Sequence, residues 1–588
     1  MKIQQYLAQK KIVTDGSFGT YYAEKYETQK MPERANLMYP ERVAQIHSAY
    51  LAAGADFLRT NTFASNTVLL GTDLNGVKEN IRLAAAIARQ SAREAGRQIF
   101  VAGDIGPIPD IGQAESTEQY MEIARTFLAE GIDILLFETF PDIERLYAVL
   151  EQIKKESSVF VIVQFAVNQF GCSSIGFRAK RLLCEAAACE WIDAVGLNCG
   201  VGPVHMRQLF EKSGLPEGKY LTALPNAGYP RRGVRQLEFA NTPRYFADQM
   251  TELAASGIDI VGGCCGTNPA YIAELAARLD KRQTGHALGL RAEEIPVRPA
   301  KRRGFLYERD GSVKSKKLIA VELSPPADAN EENLLRAAHL LHGLHVDVLT
   351  VPDSPSGRTR ADSVLVAAKI KLETGMEVMP HICCRDKNAI AMRSLFMGAH
   401  INDIHNFLLI TGDPVPTVAR SAIKGVFNFD STGLMKIVRD MNEETFADSP
   451  MCFGGAINQG RRNLDVEIGR IKKKMACGAA FFLTQPVFCS EEADRLRQIK
   501  EETGARILCG IMPLISRKNA LFMKNEIAGI HIPQEIVERY PIQGTREQGE
   551  AAGIAIAREI MELVKDFADG YYFSFPFNRV TMLKKILE

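Results

Sequence analysis

No stretch of the chain approaches the roughly 20 consecutive apolar residues needed to cross a bilayer. The opening MKIQQYLAQKK lacks the apolar centre of a signal peptide, so a cytoplasmic protein without membrane segments is expected. An excess of one charge is missing too: 71 Lys plus Arg against 70 Asp plus Glu leave a net charge of +1. Such a chain has no general field to draw in nucleic acid or an anionic membrane, although a local phosphate site is compatible with that balance. Cysteine is sparse, 12 in 588 residues, and several stand at the ends of apolar runs rather than in the turn-rich spacing of a secreted disulfide scaffold. A reduced compartment with thiols free for chemistry follows. With hydrophobic residues at 46%, charged residues at 24% and 26 prolines, neither wholesale disorder nor a collagen-like repeat fits.

The length suits two domains of alpha/beta-barrel size. Short apolar, beta-branched runs begin at Ile12, Ala55, Ile99, Ile132, Val159, Ile192, Tyr220 and Ile258, each separated from the next by enough chain for a helix. Their hydrophobicity is continuous rather than alternating, the mark of strands buried on both faces, and segments such as 117–130 carry helical apolar spacing. A second series starts at Leu318, Val346, Glu377, Phe407, Met451, Ala480, Arg506 and Tyr571. Two tandem (β/α)8 barrels of the TIM type are the expected alpha/beta architecture, with an open doubly wound sheet as the alternative for the first series. Between them, residues 285–312 are charged, proline-bearing and poor in periodic hydrophobicity, as an interdomain linker would be. The expected domains are therefore 1–284 and 313–588. Lys301, Arg302 and Arg303 within the linker read as a solvated charge run rather than a nucleic-acid patch.

In such barrels the chemistry sits where strands end. In the first half this selects Asp15, Asn61, Thr62, Glu138, Asn198, Cys199, Cys264 and Cys265. Barrel closure would bring the three cysteines, from two strand ends, around one mouth, where soft thiolates suit zinc and leave a fourth position open. The glycines of Gly262–Gly263–Cys264–Cys265–Gly266 allow the backbone to bend so that neighbouring thiols face one metal. A vicinal disulfide is the competing reading of the pair, whereas Cys172, Cys184 and Cys189 read as small core residues.

The strings TDGSFGT, NTFAS, FET, GLNC and GGCCGT, in this order over residues 14–267, resemble the zinc-dependent homocysteine S-methyltransferase family. The resemblance implies zinc on Cys199, Cys264 and Cys265, with the homocysteine thiol entering the open position. It also implies that Asp15 and Glu138 lie near the ammonium group of the amino acid. Related enzymes take the methyl group from S-methylmethionine, S-adenosylmethionine, betaine or a methylated folate. No cobalamin-binding module is recognisable, and the donor stays undetermined.

Strand ends of the second half carry Glu322, Thr350, His381, Asp413 and Gln485, with no metal set among them. A buried acid closing an apolar strand, as in VELSPP, can have its pKa raised by desolvation and act as a proton donor, or can simply cap a helix or sit in an ion pair. VELSPP, PHICC, TGDP, EIGRIKKK, LTQPVF, GIMP and FNR, spread over residues 315–588, resemble methylenetetrahydrofolate reductase. That resemblance implies FAD, with Thr350, His381, Gly412, Asp413, Glu467, Arg470, Lys473 and Lys474 as contacts. Glutamate and arginine stand at 467 and 470 where some relatives have aspartate and asparagine. Glu322 corresponds to the acid that protonates the folate, Asp413 to a residue tuning the flavin, and Gln485 to a folate contact. NADH or NADPH is the expected reductant.

Together the two resemblances imply a bifunctional methionine-pathway enzyme acting on homocysteine, a methyl donor and methylenetetrahydrofolate, with homo-oligomerisation left open. The alternative is a working reductase that carries a noncatalytic zinc- or thiol-binding regulatory barrel.

Overall fold

The computed structural model describes residues 1–109, 113–214, 216–232, 237–239, 242–282, 302–308, 310–416, 423–527 and 529–588. The chain divides into two compact units, Met1–Ile295 and Pro296–Glu588.

In the first unit the apolar runs become β1 (Ile12–Val13), β2 (Phe57–Arg59), β3 (Phe100–Ile105), β4 (Ile134–Phe140), β5 (Phe160–Phe165), β6 (Ala194–Asn198) and β7 (Tyr220–Leu224). A short antiparallel pair, β8 (Pro230–Arg232) and β9 (Leu237–Phe239), precedes β10 (Ile260–Val261). Eight of these pair in parallel in the order β1-β10-β7-β6-β5-β4-β3-β2, and a bridge from Thr14 to Phe57 joins the two ends. Neighbours in sequence are neighbours in space, which is barrel order and not the reversal of a doubly wound sheet. The pair β8–β9 was not legible as a hairpin.

A cluster containing Ile12, Phe57, Phe100, Ala102, Ile134, Leu136, Phe160, Ile162, Ala194 and Ile260 fills the barrel, with Ile3 and Leu7 of the N-terminal helix packed into the same cluster. Burying each large side chain of this kind stabilises by about 1.5–3 kcal/mol. Close packing fixes glycine at position 196, where a Cβ would come within 1.8 Å of the Thr222 carbonyl oxygen. At the strands' C-terminal ends the buried side chains turn polar, among them Asp15, Asn61, Glu138 and Asn198.

The second unit closes fully through β11 (Leu318–Glu322), β12 (Val348–Val351), β13 (Val378–Cys383), β14 (Asn406–Ile410), β15 (Cys452–Ile457), β16 (Phe481–Pro486), β17 (Ile507–Ile511) and β18 (Gly570–Ser574). All pairs are parallel, and β11 is bonded to both β12 and β18. Its interior cluster includes Leu318, Ala320, Val348, Met379, Leu408, Phe481, Leu483 and Leu508.

Most of the expected linker lies outside the described residues, Lys301 among them, but its end is part of the second barrel. Phe305 and Leu306 are fully buried in that interior cluster, and the Phe305 N–H donates to Asn406 Oδ1 at 2.9 Å. Arg303 pairs with Asp403 at 3.1 Å. The charged residues around this short apolar plug hid it: two buried side chains are too few to show a period. No helix among the described residues is long and apolar enough to cross a membrane.

Candidate functional site

At the mouth of the first barrel, Cys199 follows β6 while Cys264 and Cys265 follow β10, and their sulfurs all lie within 4.8 Å of one another. Cys199 Sγ and Cys265 Sγ are 3.7 Å apart. Four sulfurs bound tetrahedrally at about 2.3 Å from one zinc would be separated by about 3.8 Å, so this thiol set has the spacing of a zinc site. Backbone geometry presents the thiols: Cys199 is held in the left-handed region at φ +56° and is followed by Gly200 at +71°. A Cβ on Gly200 would come within 2.1 Å of the Val167 carbonyl oxygen. The Cys264 N–H donates to the Pro225 carbonyl at 2.8 Å, and Thr267 Oγ1 donates to the Cys264 carbonyl at 2.6 Å. All twelve cysteines are free, including the adjacent pair. Hydrogen bonds from Cys264 and Cys265 pull the Cys199 thiol down to about 3, and sharing with Cys199 pushes Cys265 up to about 12. Cys172 and Cys189 are buried as core residues, but Cys184, expected with them, is exposed.

Beside the thiols lies a buried ion cluster organised by Arg59, a residue inside an apolar run that the reading of strand ends passed over. Its Nε donates to Asp15 Oδ1 at 2.8 Å and its Nη1 to Glu138 Oε2 at 3.1 Å. Its Nη2 donates to the carbonyls of Gly16 at 2.6 Å and Gly263 at 2.8 Å. Burial pushes the Asp15 and Glu138 carboxyls up, and the guanidinium pulls both back. Asp104, from β3, is also fully enclosed; burial and the nearby Glu138 raise its pKa well above the ordinary carboxylate value. Asn198 donates to Glu138 at 3.3 Å and to Thr139 Oγ1 at 2.8 Å. The structure therefore brings Asp15, Glu138 and Asn198 together with the cysteines. Asn61 and Thr62 serve the scaffold instead, donating to the Pro32 and Asp104 carbonyls respectively.

In the second barrel, Glu322 at the end of β11 accepts hydrogen bonds from Tyr572 Oη and, at 3.1 Å, from Ser574 Oγ, both on β18. Burial raises its pKa, and the two hydroxyls oppose that only in part. Thr350 is fully buried on the adjacent strand, in register with Glu322. His381 is buried with Nε2 unpaired, and burial lowers its pKa to about 3, so it is neutral. An unpaired buried polar atom costs about 1–3 kcal/mol, which marks the mouth as shaped for a polar ligand. Gly412 sits at φ +91°, where a Cβ would come within 2.7 Å of Cys383 Cβ. Asp413 is exposed, and its Oδ2 accepts from the Ser356 N–H at 2.7 Å. Arg385, also missed in the sequence, donates to the Asp413 carbonyl at 3.2 Å.

Gln485 closes β16, and its carbonyl accepts from Gln459 Nε2 at 3.0 Å. The helix Leu464–Ala476 carries the basic segment. Glu467 is buried there and turned to the preceding loop, accepting from the Asn458 N–H at 3.0 Å and pairing with Arg461 at 2.9 Å. Its Oε1 braces the loop, while Oε2, ion-paired with Arg461, accepts no hydrogen bond, which the charge pattern alone did not show. Arg470 is exposed, and Lys474 is partly buried, donating to the Ala456 carbonyl at 3.0 Å. Both share a helical face with Glu467, whereas Lys473 is exposed and off that stripe.

Comparison with known proteins follows the same division. Residues 12–279 match the homocysteine S-methyltransferase family, and residues 308–588 match the methylenetetrahydrofolate reductase family. The methionine synthase of Mycobacterium tuberculosis (strain ATCC 25618 / H37Rv) is 31% identical over 299 residues, 46% of this chain and 25% of that protein. The methionine synthase of Mycobacterium leprae (strain TN) is 31% identical over 309 residues, 47% of this chain and 25% of that protein. The chain thus spans about a quarter of the length of these relatives. Among solved structures, the homocysteine methyltransferase MmuM of Escherichia coli is similar in its apo form at 22% identity and TM-score 0.38, covering 46% of this chain and 97% of that one. Its metallated form gives 20% and 0.40, with 47% and 99% covered.

Proposed function

From a chain that joins a homocysteine S-methyltransferase domain to a methylenetetrahydrofolate reductase domain, both of them enzyme families, we propose a bifunctional methionine-pathway enzyme. The first barrel transfers a methyl group to homocysteine to give methionine. The second reduces 5,10-methylenetetrahydrofolate to 5-methyltetrahydrofolate with electrons from NADH or NADPH. The observation that carries the reading is the convergence of Cys199, Cys264 and Cys265 within 4.8 Å, beside the acids Asp15 and Glu138.

Cys199, Cys264 and Cys265 would hold zinc, which stabilises a substrate sulfur as the thiolate, the form that attacks a methyl group. Asp15 and Glu138 form the acidic wall for the substrate ammonium. Two carboxylates share one guanidinium, so the cluster has negative charge to spare for a cation. Arg59 holds those two carboxylates in a fixed arrangement.

In the second barrel Thr350, His381, Gly412, Asp413, Arg470 and Lys474 would hold FAD, with Glu467 bracing the loop beside them. The flavin supplies the hydride when bound. Burial raises the pKa of Glu322 and so favours a proton on its carboxyl, which in this reading Glu322 delivers to the folate as the methylene bridge opens. Tyr572 and Ser574 fix the orientation of that carboxyl, and Gln485 contacts the folate.

The test is anaerobic incubation of the purified full chain with homocysteine and a panel of methyl donors, assayed for methionine, alongside reduction of methylenetetrahydrofolate by NADH and NADPH. Methionine from one donor and methyltetrahydrofolate from the second assay are expected. Folate reduction without methionine from any donor would reduce the first barrel to a thiol- or zinc-binding module and overturn its half of the reading.

A further inference from the structure

Away from the residues assigned above, the second barrel carries another set of metal-ligating side chains. Cys489 is the N-cap of the helix Ser490–Thr503, in extended conformation at φ −146° and ψ 166°. Glu492, three residues on, is buried. Its Oε2 accepts from the Phe488 N–H at 2.8 Å, which fixes the carboxylate against the turn that starts the helix. His531 arrives from a different part of the chain, just before the short helix Gln534–Glu538. Its neighbour Ile532 is 1% exposed and Val537 is fully buried, so the chain that follows the imidazole is anchored in the core. One sulfur, one nitrogen and one carboxylate oxygen from these three residues all lie within 4.8 Å of one another.

We infer that Cys489, Glu492 and His531 form a second zinc site, separate from the three-cysteine set of the first barrel. The donors decide the metal. Calcium and magnesium take oxygen ligands, and copper(I) prefers sulfur alone, whereas a mixed thiolate, imidazole and carboxylate set suits zinc. Ligands bound at about 2.0–2.3 Å in a tetrahedron are separated by about 3.3–3.7 Å. The donors therefore need to close in by no more than about 1.5 Å on binding. Cys489 is partly exposed and His531 exposed, so side-chain rotation suffices while the buried Glu492 stays put. The backbone hydrogen bond to Glu492 is the outer-shell support that ligating carboxylates ordinarily have.

The consequence is mechanical. Cys489 follows β16, which ends at Gln485–Pro486, so the ion would clamp the segment carrying His531 onto the loop that leads out of the strand bearing Gln485. Three protein ligands leave the fourth position to water.

Metal content of the full chain, loaded with zinc and freed of loosely held ion, tests the site. About two zinc per chain are expected for the unmodified protein and about one for His531→Ala, for Cys489→Ala and for Cys199→Ala. His531 is exposed, so its substitution does not endanger folding. Cobalt(II) added to Cys199→Ala should give a thiolate-to-cobalt charge-transfer band that disappears in the Cys199→Ala/Cys489→Ala double variant. Equal zinc content in His531→Ala and the unmodified protein overturns the inference. So does a cobalt band whose intensity is unchanged by loss of Cys489, or one that is absent from Cys199→Ala protein whose circular dichroism is native. Neither readout depends on what the enzyme catalyses.

Discussion

Arg59 grips Asp15 twice: its Nε meets Oδ1 at 2.8 Å, and its own backbone N–H meets Oδ2 at 2.9 Å. The guanidinium is fully engaged, since the remaining nitrogens reach Glu138 and the carbonyls of Gly16 and Gly263. A barrel mouth that must present carboxylates beside electron-rich sulfur would repel itself, and one buried cation from the neighbouring strand offsets that repulsion.

Removing that cation leaves buried carboxylates unpaired. Arg59→Leu is expected to destabilise the first barrel by about 3–5 kcal/mol, the usual consequence of breaking one side of a buried pair. Denaturant unfolding followed by a probe specific to the first barrel checks this. A loss below about 1 kcal/mol would show that Asp15 and Glu138 take up protons without consequence.

Cys265→Ala should release zinc from the first barrel and abolish methionine formation. Flavin reduction by the nicotinamide should stay near the unmodified rate, because the two barrels have separate interior cores. Zinc analysis and the two activities measured on one preparation decide it. Equal loss of both activities in a folded variant would demand coupling between the sites.

Glu322→Gln keeps shape and hydrogen bonding but has no transferable proton. Stopped-flow observation is expected to show normal bleaching of the flavin by reductant, then a loss of reoxidation by methylenetetrahydrofolate of about 100-fold or more, the scale of a general acid's contribution. Reoxidation at the unmodified rate would make Glu322 a structural residue. Lost bleaching would move it to flavin or reductant binding.

His47 gives the first barrel a built-in acid sensitivity. Neither ring nitrogen has a hydrogen-bond partner, and burial lowers its pKa from 6.5 to about 4. The unfolded chain binds a proton below about pH 6.5 that the folded barrel refuses until about pH 4. Stability is therefore complete above the unfolded value and is lost as pH falls between the two. From pH 7.5 to 5 the loss is about 2 kcal/mol, the 1.5 units below 6.5 at about 1.4 kcal/mol each. Urea unfolding at the two pH values should show that increment in the unmodified protein and its absence in His47→Phe. An unchanged increment in the variant would place the sensitivity elsewhere.

Much of the fold was legible because it is local. The apolar runs became barrel strands of two to seven residues, and a parallel strand buried on both faces needs no distant information to announce itself. The cysteines at 199, 264 and 265 were legible for the same reason: each closes such a run. The plug at Phe305–Leu306 was not, because two apolar residues inside a charged segment have no period. Nor could the charge run at 467–474 reveal that Glu467 is turned toward Asn458 and Arg461.

By itself the sequence determined where strands start and stop, which thiols and acids stand at their ends, and that two such series share one chain. Only the tertiary structure decided which of those groups meet. Tyr572 reaches Glu322 across 250 residues of chain, and Arg59 reaches Glu138 across 79. Such contacts depend on barrel closure and strand register. A one-residue slip would turn an inward side chain outward, so whether Arg59 faces solvent or the buried mouth is settled by the pairing of β2 with β3, not by the residues on either side of it.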